Sequence, residues 1–156
     1  MNDHCADAAA ALGARQRGSL PGLLGFEWTH LQAGEVRGRF DVKEHHLVPI
    51  TGFLHAATVV ALADSACGFG CLRSLPRQAS GFTTVELKAN FIGTARNGGV
   101  ACIARLVHGG RTTQVWDAEV RAETSGRTIA LFRCTQLVLY PATSADAAGL
   151  AEQVSP

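Results

Sequence analysis

Charge is scarce in this chain. Only 17% of its 156 residues are Asp, Glu, Lys or Arg, against roughly 25% in an ordinary soluble domain. The 14 basic and 13 acidic residues nearly cancel, to a net charge of +1, and form no long run of either sign. There is thus no electrostatic footprint for nucleic acid or for an anionic membrane. The cysteines, Cys5, Cys67, Cys71, Cys102 and Cys134, are odd in number and irregular in spacing, which reads as reduced thiols in the cytoplasm and not as a secreted disulfide framework. No Cys or His pair follows Cys67 and Cys71 at zinc-finger spacing, so those two read as packing residues and no metal is expected. A glycine-rich phosphate loop is missing, as is any repeat with a period of about 20–50 residues. Asp3 and Asp7 stand where a signal peptide would carry positive charge. The most apolar long segment, 52–72, contains His55 and Asp64, which argues against a membrane span and for a helix buried in protein.

What is abundant is apolar surface. At 47% apolar residues the chain has enough for one well-packed domain, without a disulfide or metal staple. Low charge also implies that something besides water covers part of the surface, and self-association is the simplest candidate. We expect residues 1–17 to be a helical or poorly ordered tail, 18–141 to be a single domain, and 142–156 to be a flexible tail.

Residues 36–42 alternate, with Val36, Gly38, Phe40 and Val42 on one side and Arg37, Arg39 and Asp41 on the other, and are expected to form the first strand. A loop containing His45, His46 and Pro49 leads to Thr51 and Gly52, where a run of about twenty small and apolar residues begins; it is too long for a strand and reads as a helix. Four strand-like segments follow Pro76, at 83–91, 100–108, 114–123 and 128–140. Turns at 97–99, 108–111 and 125–126 join the last three to what precedes them. Strand, long helix, then four antiparallel strands describes an α+β fold: one sheet of five or six strands wrapped around one central helix.

Asp64 breaks the pattern. At 100° per residue it shares a helix face with Ala57, Val60, Ala61, Cys67, Gly68 and Cys71, and no basic residue lies three or four positions away. Such a carboxylate finds a partner on another segment or subunit, takes a raised pKa, or sits at an exposed edge. His55, near the helix start, is either a capping or core histidine or an acid–base group. The amides of Ala56 and Ala57, in the first helical turn, are placed to polarise a carbonyl oxygen.

The segment GFLHAATVVALADSACG, residues 52–68, resembles the helix signature of hotdog-fold acyl-CoA thioesterases of the phenylacetate-pathway (PaaI-like) type, G-x-x-H-G-G followed by an acidic residue. The eight-residue step from Ala56 to Asp64 fits that signature. TTVELKANF at 83–91, ARNG at 95–98 and HGGR at 108–111 extend the likeness to most of 20–140. The resemblance implies a thioesterase acting on small or medium acyl-CoA, aromatic acyl groups included. In it the amide of Ala56, with Gly52 and His55 beside it, holds the thioester carbonyl, and Asp64 of a neighbouring subunit serves as nucleophile or general base. Thr84 corresponds to a hydroxyl that positions water or the carboxylate, and Arg111 to a cation for the CoA phosphates. The chain departs from the family at its double glycine, here Ala56 and Ala57, and at a frequent Asn, here Pro49, for which His46 is a nearby substitute. The same resemblance implies a cytoplasmic homo-oligomer, a dimer or tetramer, using no cofactor beyond the CoA of its substrate. The alternatives are a hotdog-fold hydratase or dehydratase, to whose His-containing loop residues 46–49 bear a faint likeness, and a non-catalytic acyl-CoA binding module.

Overall fold

The computed structural model describes residues 3–141, and side chains from residue 7 onward; the flexible tail expected at 142–156 and the side chain of Cys5 lie outside the described residues. Two N-terminal helices, α1 (Asp3–Arg15) and α2 (Leu20–Leu23), precede strands β1 (Glu27–Gln32) and β2 (Glu35–Asp41). The long helix α3 (Ala56–Arg73) follows, then β3 (Gly81–Phe91), β4 (Gly99–Gly109), β5 (Thr113–Ala122) and β6 (Thr128–Leu139). The strands form one six-stranded sheet in the order β1-β2-β4-β5-β6-β3, antiparallel at every pairing. The sheet wraps α3, as the α+β reading expects.

The first strand is β1, not the segment beginning at Val36. In β1 both Trp28 and Leu31 are buried, three residues apart, because the register shifts between Trp28 and His30. A bulge adds a residue to one strand and hides the period-two alternation by which a half-buried strand is recognised. Gly38, on β2, makes room for the Trp28 ring: a Cβ there would lie 2.6 Å from it. α1 is anchored at its end, where Gln16 Nε2 donates to the Phe26 carbonyl (2.5 Å) and Gln16 Oε1 accepts from Trp28 Nε1 (2.7 Å).

α3 has the length and mean hydropathy of a membrane span, yet it is the core helix of the sheet. Leu62, Ala63, Ala66, Cys67 and Cys71 are fully buried, and the helix touches every strand. Small residues let it approach closely. At Gly70 a Cβ would meet the Trp116 ring at 2.5 Å, a contact that no side chain could make without displacing the indole. The four described cysteines are free thiols in this core, and burial pushes Cys71 up to about 11 and Cys102 up to about 12, which makes them inert packing groups.

Candidate active site

The start of α3 is built by a folded-back loop. Val48 N donates to the Phe53 carbonyl (2.8 Å), and Gly52 N to Val48 O (2.8 Å). Gly52 turns the chain with φ of +65°, a conformation that favours glycine. Leu54 N then donates to Ala95 O (2.9 Å), which ties the helix tip to the β3–β4 connection, where the Arg96 guanidinium lies 4.1 Å over the Phe53 ring. Pro49 sits in this turn and offers no polar side chain.

His55 is the N-cap of α3. Its Nδ1 accepts from Ala57 N (3.0 Å), and its carbonyl accepts from Thr58 N (3.0 Å). Of the two amides singled out at the tip, Ala57 is therefore engaged. Ala56 is an exposed residue whose N–H has no hydrogen-bond partner among the described residues, so it is the donor left for a carbonyl oxygen. His46 does not stand in for the missing Asn. It is 1% exposed, its Nδ1 accepts from Lys43 N (3.0 Å) and its Nε2 bonds the Leu24 carbonyl (3.0 Å). With both ring nitrogens committed to backbone, it cannot act on a substrate, which removes the feature behind the hydratase alternative.

Two and a quarter turns along α3, Asp64 is half-buried. Its Oδ1 is shielded from solvent with no hydrogen-bond partner among the described residues, and burial alone pushes its carboxyl above the usual carboxylate range. Helix and strand geometry set Thr84 at its level. Phe82 of β3 packs on Gly68, where a Cβ would come within 3.2 Å of the ring. β3 runs antiparallel to α3, from the Ser74 end toward the Leu54 end. Two strand residues advance about 6.7 Å and four helix residues about 6 Å, so Thr84 stands level with Asp64, one helical turn before Gly68. A polar chain runs behind Thr84: Gln136 Nε2 donates to Cys134 Sγ (3.3 Å), and Thr84 Oγ1 donates to Gln136 Oε1 (2.8 Å). Gln136 is wholly buried and was not legible as a site residue, although a glutamine on the inward side of an otherwise apolar strand is a detectable signal.

By that estimate Asp64 and Thr84 stand level on facing elements of one chain, whereas the Ala56 amide and Asp64 are far apart along the helix. Eight residues of helix span about 12 Å, and the Ala56 N–H points away along the axis. A carbonyl oxygen bound there sits about 15 Å from the level of Asp64. An aspartate side chain plus one bridging water reaches only about 9 Å toward a carbonyl carbon. Arg111 is further off, on the β4–β5 turn near Ser74, as shown by Gln114 Nε2 donating to Ser74 O (2.9 Å). Its carbonyl accepts from Tyr140 Oη (2.5 Å), and its guanidinium lies 5.8 Å from that ring.

Residues 51–129 match the thioesterase superfamily. The chain is 30% identical over 112 residues to a 1,4-dihydroxy-2-naphthoyl-CoA hydrolase of Listeria monocytogenes, covering 72% of this chain and 89% of that one. It is 32% identical over 133 residues to a putative esterase of Deinococcus radiodurans, covering 80% and 82%. Among solved structures it resembles a mutant thioesterase from Pseudomonas aeruginosa, with a TM-score of 0.78, 27% identity, and coverage of 85% of this chain and 94% of that one. It shares its fold with the Escherichia coli PaaI protein of the phenylacetic acid degradation operon, with a TM-score of 0.75, 21% identity, and coverage of 89% and 96%. The chain belongs to the thioesterase superfamily. As a hotdog-fold member of that family it is a thioester hydrolase.

Proposed function

We propose that the chain hydrolyses small or medium acyl-CoA thioesters, aromatic ones included, at a site shared between two copies. The observation that carries this reading is the shielded, unpartnered Oδ1 of Asp64, about 15 Å along the helix from where the free amide of the same chain would hold a carbonyl. One chain holds two half-sites, and a second copy completes them.

The outer edge of β3 is where that copy fits. Val85 is 56% and Ile92 60% exposed, and Leu87 and Phe91 are also exposed, beside the half-buried face of α3 that carries Val60, Ala61, Asp64 and Gly68. A long unpaired apolar edge is a pairing template. Antiparallel pairing of β3 with its twofold mate reverses the partner's helix and carries that helix's tip toward Asp64. Dimers so formed can assemble further into tetramers.

In such a site the thioester oxygen binds the Ala56 amide of one subunit, with the helix dipole behind it. Asp64 of the other subunit acts as general base. The water oxygen bonds to the carbonyl carbon while its proton passes to the carboxylate. The tetrahedral intermediate then collapses with cleavage of the C–S bond, and the proton passes from Asp64 to the departing sulfur. A carboxyl whose pKa lies above the usual range is a better base than an exposed one. His55 orients the tip through its cap, Gly52 shapes the loop, and Arg111 is the exposed cation assigned to the CoA phosphates. The chemistry calls for no metal or cofactor. The relative from Listeria monocytogenes, by its name, acts on a bicyclic aromatic acyl-CoA, which supports an aromatic acyl group here.

A panel of aliphatic and aromatic acyl-CoA thioesters, scored by free-thiol release, tests this reading. Turnover of at least one class is expected. Binding of acyl-CoA without thiol release would instead identify a binding module, and interconversion of enoyl- and hydroxyacyl-CoA with the thioester intact would identify a hydratase.

A further inference from the structure

Thr84 has one hydroxyl proton, and Gln136 takes it. Thr84 Oγ1 donates to Gln136 Oε1 at 2.8 Å, and Gln136 Nε2 donates to Cys134 Sγ at 3.3 Å. Gln136 is fully buried and directly opposite Thr84 in the β3–β6 ladder, and the register shift between Thr84 and Glu86 falls just beyond this pair. With its proton committed, the Thr84 oxygen offers only lone pairs toward Asp64. Asp64 Oδ1, itself an acceptor, accordingly receives no hydrogen bond from it. Two neighbouring acceptors are both satisfied by a molecule with two protons, which is water.

We propose that Gln136 is a positioning residue for hydrolysis: by holding the Thr84 proton it makes that hydroxyl an acceptor only, so that Thr84 and Asp64 together grip the attacking water by both its hydrogens. This rests on the thioesterase reading above. The lone pairs of the water then face away from both acceptors, toward the carbonyl carbon. Without Gln136 the Thr84 hydroxyl is free to rotate and donate to Asp64, which occupies the base and releases the water.

The test uses the full-length chain and a thioester from the panel. Gln136→Met, close in length and apolar, is expected to lower kcat about tenfold or more with KM within about twofold, because the lost interaction acts on the water and not on the substrate. Thr84→Val lowers kcat similarly. The double variant falls no further than Thr84→Val alone, since Gln136 acts only through that hydroxyl. Gln136→Glu, which keeps an acceptor oxygen at the same reach, retains about a third or more of the wild-type kcat and serves as the informative variant should Gln136→Met melt far below the parent. A wild-type kcat in Gln136→Met, independent and multiplicative losses in the double variant, or a Gln136→Glu as slow as Gln136→Met would overturn the proposal. If Thr84→Val turns over normally, the role of Gln136 falls while Asp64-dependent thioester hydrolysis stands. If the wild-type chain hydrolyses no thioester, the functional reading fails first and this inference fails with it.

Discussion

The carboxyl of Asp64 is unusual because burial acts on it and no protein group answers. Its pKa lies above the ordinary range, so the folded chain binds a proton at Asp64 more tightly than the unfolded chain does. The stability this contributes is present below the unfolded pKa and is lost as pH rises through the folded value. Activity runs the other way: a general base works only once deprotonated, so kcat should rise with pH across the same raised pKa. Asp64→Asn separates the two effects. We expect hydrolysis to fall by about a hundred- to ten-thousand-fold, while the melting temperature at neutral pH does not drop and loses this part of its pH dependence. Full turnover in the variant would reject Asp64 as the base. The residue stands out in the sequence because an acid on a small, apolar helix face has no local partner. Gln136 is marked only as a polar residue on the inward side of β6, and its place opposite Thr84 depends on which strand β6 pairs with. His46 misleads for a related reason: nothing in the chain around it announces that Lys43 and Leu24 will occupy both ring nitrogens.

At the level of elements, α3 and the four strands after it follow from periodicity and turn residues, and the structure places them within a few residues of expectation. β1 escapes because its bulge replaces alternation with a three-residue spacing. The helix tip is where element geometry meets chemistry. Ala56 occupies the first helical position, where proline is tolerated, and His55 already has the extended backbone (φ −69°, ψ 130°) that a following proline demands. Ala56→Pro should therefore keep the fold while deleting the free amide at the helix tip. Turnover should fall about a hundredfold or more, the loss typical of an oxyanion donor, and the melting temperature should hold. Wild-type kcat in a folded Ala56→Pro would show that the carbonyl binds elsewhere.

For the whole molecule, the proposed division of the site between copies would make assembly a condition of activity. Mixing Ala56→Pro with Asp64→Asn under conditions that exchange subunits produces heterodimers with one intact and one doubly damaged site. With random exchange, half the dimers carry half their sites, so activity should recover to about a quarter of wild type; two inactive parents that stay inactive after verified exchange would place both groups in one subunit. Leu87→Asp sets a charge on the exposed edge of β3, where a like charge would meet it across a twofold axis. The expected outcome is a smaller species by sedimentation, with thioester turnover lost in parallel. A fully active monomer would contradict the shared site.

One consequence concerns how such a site can be altered. α3 is a single rigid rod bearing an acid at mid-length and a donor at its end, and in the proposed shared site each rod would serve one site with each end of that span. Sliding the rod along its axis moves donor and acid together, identically in both copies, so neither pocket can be widened without the other. The room allotted to an acyl group is then adjustable only through what protrudes from the rod and from the strand beside it, and the two methyl groups of Ala56 and Ala57 are the first such dials.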